Sequence, residues 1–135
     1  MKKSIVSKKS LITICALSLL GSLALAQTTP WNAPFGAVNN PNPVPVNPDT
    51  LAAGQAIFTG KGQCVSCHGT AGIGDGPAGA QLTPKPANLT KITGETDGSL
   101  FWKLTNGRGA MPPTKDSLSN TERWEVINYV RSLKK

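Results

Sequence analysis

The segment Cys64-Val65-Ser66-Cys67-His68 determines how this 135-residue chain folds. C-x-x-C-H is the attachment sequence for c-type haem, in which two thiols bond to the vinyl groups and the adjacent imidazole ligates the iron. The sequence therefore predicts one covalently attached haem c with its iron. Cys64 and Cys67 are the predicted attachment residues, and His68 is the predicted proximal iron ligand.

Three other kinds of site use similar residues. A dithiol redox motif is typical beside a βαβ pattern, and no strand pattern precedes Cys64. A structural zinc site needs four ligands, whereas only Cys64, Cys67 and His68 follow the N-terminal segment as cysteines or histidines. A plain disulfide leaves unexplained why the only histidine follows Cys67 at once. These three sites are the alternatives to haem attachment.

The residue that provides the sixth iron ligand can be predicted by elimination. His68 is the only histidine, and Met111 is the only methionine besides Met1. Met111 lies in a Gly- and Pro-rich loop over 106–113 rather than on a helix face, although a lone methionine often fills a core gap. The sequence thus predicts a His68/Met111 pair. A thioether ligand raises the reduction potential and fills the last coordination position.

Helix signals lie on both sides of the motif. Asn47 followed by Pro48 is an N-cap signal, and the helix that it begins should end near Gly60. A second helix is predicted over 97–106, and a third after the capping box that begins at Ser119. The third helix carries apolar residues at helical spacing: Trp124, Val126, Ile127, Tyr129, Val130 and Leu133.

The stretch 62–88 is rich in glycine and proline and too broken for a long regular element. Loops this long are unusual in a small domain unless they pack on something large. The prediction is an all-α fold of three or more short helices, with long loops wrapped around one haem.

In order and spacing, these features resemble a class I c-type cytochrome over residues 47–133. The motifs are G-x-x-x-F (Gly54, Phe58), C-x-S-C-H-G (64–69), G-x-G-D-G-P (72–77), P-x-P-A-N-L (84–89) and N-G-R-G-x-M-P (106–112). The resemblance implies that the first and last helices of the domain cross. Gly54 would allow their close approach, with Phe58 and Tyr129 at the crossing.

The resemblance also implies roles for further residues. In such cytochromes a proline carbonyl accepts the second ring N–H of the proximal histidine; Pro86 is the expected acceptor here and Pro84 the alternative. Arg108 resembles the residue that reaches a haem propionate, with an ordinary solvated arginine as the alternative. Residues expected to line the haem pocket, with plain core packing as the alternative, are Trp102, Phe101, Leu104 and Leu89.

The N-terminal region divides into two predicted segments ahead of the domain, 47–135. Residues 1–26 have a basic start, an apolar stretch and an Ala24-Leu25-Ala26 ending, typical of a secretory signal that is removed before Gln27. An uncleaved anchor is the alternative, but the apolar stretch is shorter than the roughly 20 residues that span a bilayer. Residues 27–46 form a Pro-rich linker or surface-packed arm, with a disordered lead-in as the alternative.

Charge narrows the choice of partners. The chain has a formal charge of +7, and loss of the four lysines in the predicted signal lowers it to +3. A charge this small, without an Arg- or Lys-rich helix, argues against nucleic acid as a partner.

The resemblance implies a monomeric, periplasmic single-electron carrier that is not an enzyme, sits in solution or at the membrane periphery, and has no membrane span after cleavage. Its expected partners are a membrane respiratory complex or a periplasmic redox enzyme. A permanently docked haem c subunit of a larger complex is the alternative. A haem enzyme or gas sensor is a weaker one, because the chain has no second histidine for acid–base chemistry.

Overall fold

The computed structural model describes residues 30–134, and the predicted signal lies outside them. Residues 32–134 form one compact unit whose regular elements are helical. The α-helices are α1 (Phe35–Val38), α2 (Pro48–Thr59), α3 (Val65–His68), α4 (Asp97–Asn106) and α5 (Asn120–Ser132), with a 3₁₀ turn at Leu89–Lys91. The all-α prediction is confirmed. None of the helices described is both long and apolar enough to cross a membrane.

The predicted helix starts are confirmed by their caps. The Asn47 side chain accepts from the Thr50 amide at 2.9 Å, and Thr50 Oγ1 accepts from the Asn47 amide at 3.1 Å. Ser119 and Glu122 make the same reciprocal pair at the start of α5. Each cap satisfies amides that the first helical turn leaves without partners.

Helices α2 and α5 cross where the sequence places Gly54. A Cβ at Gly54 would overlap the Glu125 carbonyl oxygen and lie 2.9 Å from the Tyr129 Cβ, so only glycine allows this approach. The Phe58 and Tyr129 rings meet beside it with centroids 5.3 Å apart and planes tilted by 59°. The crossing implied by the cytochrome resemblance is therefore present.

The core lies under this crossing. Ile57, Phe58, Leu118 and Val126 form one buried cluster, and Phe58 has no exposed surface. Helix α4 joins the core through Phe101, whose ring stacks on Trp124 of α5 at a centroid distance of 4.0 Å.

The Pro-rich segment before α2 packs on the domain as an arm. Thr96 Oγ1 donates to the Val38 carbonyl at 2.7 Å, and a Cβ at Gly98 would overlap the Ala37 carbonyl oxygen. Asn42 Nδ2 donates to Asn128 Oδ1 of α5 at 2.8 Å. Residues 37–42 thus contact both α4 and α5.

Candidate functional site

The attachment motif lies on a single helical turn. Cys64 is the N-cap of α3 and His68 is its last residue, with the His68 amide donating to the Cys64 carbonyl at 2.8 Å. Residues three and four apart in a helix share one side, so the two thiols and the imidazole are brought together. All three side chains are half-buried, and both cysteines are free thiols.

The environment of Cys64 keeps its sulfur protonated. Burial raises the pKa of the Cys64 thiol to about 11, and its Sγ contacts the Gly62 carbonyl at 3.5 Å. Dithiol redox centres need the opposite, a lowered thiol pKa that supplies thiolate. Cys64 is therefore poorly suited to act as the attacking thiolate in thiol–disulfide exchange.

The His68 ring is oriented by a backbone carbonyl. Nδ1 donates to the Ala87 carbonyl at 3.0 Å, which leaves Nε2 as the ring atom able to bind a metal. Burial lowers the pKa of His68, and the hydrogen bond to Ala87 partly opposes that shift. The pKa is lowered overall, which favours the neutral ring, the form that can act as a ligand.

The predicted acceptor for this ring, Pro86 with Pro84 as the alternative, is wrong. The Pro86 carbonyl faces Gly74 instead, and a Cβ at Gly74 would lie 2.5 Å from that oxygen. The acceptor is the next residue, Ala87.

The glycine-rich loop after the motif satisfies the open end of α3. The amide of Gly74 donates to the His68 carbonyl at 2.8 Å, that of Gly76 to the Cys67 carbonyl at 3.1 Å, and that of Ala78 to the Ser66 carbonyl at 2.9 Å. Such carbonyls have no partner within a helix that ends there. The loop thereby fixes the motif's backbone.

Met111 lies in the loop after α4, where it pairs with Arg108. The Arg108 amide donates to the Met111 carbonyl at 2.8 Å, and the Met111 amide donates back at 3.0 Å. Both side chains are half-buried. The structure thus holds the backbone on both sides of the predicted ligand in a fixed turn.

The residues predicted to line the haem pocket differ in how they pack. Phe101 stacks on Trp124, which is the core alternative for this residue. Leu89 and Leu104 contact the buried core cluster but stay half-buried, and Trp102 is also half-buried. The roles of Trp102 and Arg108 at a haem stay predictions.

The donor set fits a covalent haem. Cys64 and Cys67 are free thiols on the same helical turn as His68. Two free thiols beside a neutral imidazole with an available Nε2 match the chemistry of c-type attachment.

Sequence reasoning missed two contributors. Ala87 acts through its carbonyl, which carries no side-chain signature. Thr114, whose Oγ1 donates to the Leu104 carbonyl at 2.8 Å, has its partner ten residues earlier in the chain. Only the fold reveals either contact.

This arrangement is that of a c-type cytochrome, and comparison with known proteins agrees. The family model described as cytochrome c oxidase, cbb3-type, subunit III matches residues 49–130. Because this is more than half of the chain, the protein belongs to that family of c-type cytochromes. It accordingly binds haem c and its iron covalently.

Similar proteins include two cytochromes c6. The one from Synechocystis sp. is 34% identical over 80 residues, which is 59% of this chain and 62% of the relative. The one from Leptolyngbya boryana is 34% identical over 79 residues, which is 58% of this chain and 87% of the relative.

Among solved structures, a chain of the reducing HAO-like protein complex of Kuenenia stuttgartiensis aligns with a TM-score of 0.60 and 29% identity. The alignment covers 71% of this chain and half of that one. The protein therefore spans 62% of the Synechocystis relative and half of the Kuenenia chain.

Proposed function

We propose that the protein is an exported single-electron carrier whose haem is attached through Cys64 and Cys67 and ligated by His68 and Met111. When bound, the haem supplies one-electron Fe(II)/Fe(III) chemistry. The observation that carries the proposal is the hydrogen bond from His68 Nδ1 to the Ala87 carbonyl. It presents Nε2 as a ligand directly beside two free thiols.

The residues that would hold the iron favour a carrier rather than a catalyst. A thioether from Met111 would occupy the coordination position that His68 leaves open, and this would disfavour binding and activation of dioxygen or peroxide. The chain also lacks a second histidine that could serve as a distal acid or base. Arg108 would contact a propionate, and Trp102 would form part of the pocket wall.

Electron exchange would take place near the attachment helix. Ile73 is 46% exposed, and the next residue, Gly74, donates to the His68 carbonyl. A redox partner would contact this part of the surface, with Ile73 as one apolar contact. That partner would be a membrane respiratory complex or a periplasmic redox enzyme.

A docked subunit is the second candidate. The similar Kuenenia chain comes from a solved complex, and the exposed ring of Phe35, at 86%, lies on the arm of this protein. Gentle extraction of native membranes followed by affinity purification separates the two cases. A free carrier should elute without other proteins. A subunit should co-elute with its partner proteins in stoichiometric amounts, even when the column is washed at high salt.

The Met111→Ala variant tests the axial ligation. The ferric wild-type holoprotein should show the weak red absorbance typical of iron–thioether ligation, and its ferrous form should exclude CO. The variant should lose that absorbance, bind CO and have a lower reduction potential. A variant that still excludes CO would show that another group occupies the sixth position.

A further inference from the structure

One buried threonine closes the loop that carries Met111, which comprises residues 107–113. Helix α4 ends at Asn106, so the Leu104 carbonyl has lost its partner from the next turn. The Arg108 amide, which would reach it in a longer helix, donates to the Met111 carbonyl instead. Thr114 provides two replacement donors, its amide at 3.1 Å and its Oγ1 at 2.8 Å from the Leu104 oxygen.

Thr114 is also fixed to the protein core. It is 6% exposed, although Pro113 before it and Lys115 after it are exposed. Its carbonyl accepts from the Leu118 amide at 2.9 Å, and Leu118 belongs to the buried core cluster. Thr114 therefore connects α4 to the core at the point where the loop ends.

The Met111 loop has little slack between these anchors. Arg108 and Met111 pair through both amides, which fixes the turn itself. Gly107 has φ of +62°, and a Cβ there would lie 2.5 Å from both the Met111 oxygen and the Pro113 nitrogen. A shift at Thr114 is thus transmitted to Met111 three residues earlier.

We infer that Thr114 is a positioning residue for the Met111 thioether. Its hydroxyl holds the end of the loop against the last turn of α4 and so would position Met111 to hold a bound haem. This role rests on the proposed ligation by Met111. Burial alone would not require a threonine here, because valine has a similar shape and would fill the same space. The hydroxyl is therefore what the positioning role depends on.

The test compares Thr114→Val with Thr114→Ser in the full holoprotein. Valine removes the hydroxyl but keeps the amide bond and the volume, whereas serine keeps the hydroxyl. Imidazole titration of the ferric protein measures how readily Met111 leaves the iron. Loss of one net hydrogen bond should strengthen apparent imidazole binding by about fivefold in Thr114→Val. Thr114→Ser should stay near the wild type.

The matched control is Thr105→Val, which removes a hydroxyl bonded to the Phe101 carbonyl at 2.7 Å in the same helix. It should leave imidazole binding unchanged. Equal imidazole affinity in Thr114→Val and the wild type, with the red absorbance present in both, would overturn the positioning role alone. A wild type without that absorbance would instead overturn ligation by Met111, and the positioning role with it.

Discussion

At the scale of single residues, the attachment site depends on backbone groups as much as on side chains. The Ala87 carbonyl can only accept a hydrogen bond, so the proton of neutral His68 resides on Nδ1 and the lone pair on Nε2. The amides of Gly74 and Gly76 in turn hold the end of α3 on which that ring is mounted. A change in this loop should therefore affect the haem site without altering any ligand.

Gly76→Ala tests this dependence. A Cβ there would overlap the Ser66 oxygen and lie 2.6 Å from the Val65 oxygen, both of which are backbone atoms that cannot turn aside. Overpacking of this kind should lower the unfolding free energy of the holoprotein by about 1–3 kcal/mol. Guanidinium unfolding, monitored by circular dichroism, measures this change in unfolding free energy.

The control for Gly76→Ala is Gly94→Ala, because a Cβ at Gly94 meets nothing within 4 Å and its backbone needs no glycine. That variant should be neutral or slightly stabilised. Equal stabilities for the two alanine variants would show that the loop does not pack as described.

At the scale of elements, α2 and α5 are linked through one carboxylate. Glu122 accepts from the Ser119 amide at 2.7 Å, and Lys61 Nζ, just beyond α2, lies 2.7 Å from its Oε1. The hydrogen bond from Lys61, together with that from Ser119, lowers the pKa of Glu122 from 4.5 to about 2.

Acid unfolding tests this link. Because the pKa is depressed in the folded state, the stabilisation is complete above the ordinary carboxyl pKa and is lost as pH falls towards about 2. Glu122→Gln keeps the capping geometry without the titration, so its stability should fall less between pH 4.5 and 2. High salt should reduce the difference, since the carboxylate is exposed. Identical pH profiles for both proteins would contradict the link.

The sequence predicted the elements that carry their own signals. Asn47-Pro48 and Ser119 with Glu122 mark helix starts chemically, and Gly54 marks the crossing. Helices α1 and α3 were not predicted, because four residues are too few to show a period. They are set by contacts from elsewhere, such as the close approach of α1 to Gly98.

The candidate site was likewise predictable only where it has its own sequence signal. Its chemistry lies in the spacing of Cys64, Cys67 and His68, which needs no fold to be visible. The carbonyl that accepts from His68 could not be predicted, because every residue has a carbonyl. Only the path of the loop places the Ala87 carbonyl beside the ring. Ligation by Met111 stays a prediction.

At the scale of the whole molecule, the arm is part of the domain. Asn128, 3% exposed in the middle of α5, donates through Nδ2 to the Val44 carbonyl at 3.1 Å and accepts from Asn42 at 2.8 Å. A buried amide on a helix is costly unless its groups are paired. Here the arm supplies the partners, so arm and helix stabilise each other.

A double-mutant cycle on Asn42 and Asn128 tests this coupling. Asn128→Ala should lower the unfolding free energy by about 1–3 kcal/mol, because it removes the side-chain partner of the Val44 carbonyl and one of the two acceptors of Asn42 Nδ2. Asn42→Ala should also lower it, because it removes the donor to the buried Asn128 Oδ1 and the acceptor of the Val44 amide. The double variant should cost less than the sum of the two single variants by about 1 kcal/mol. Thermal unfolding of the ferric holoprotein is a sensitive measure, since 1 kcal/mol shifts Tm by roughly 4–8 °C in a domain of this size.

The control for this cycle is Asn39→Ala, whose exposed amide bonds only to Phe35 within the arm, at 2.9 Å. It should leave Tm nearly unchanged. If the arm were only a tether, Asn42→Ala would match this control and the two substitutions would add without coupling. A measured coupling would instead show that the domain begins before α2, so that a partner bound to the arm would act on the same cooperative unit that carries the haem.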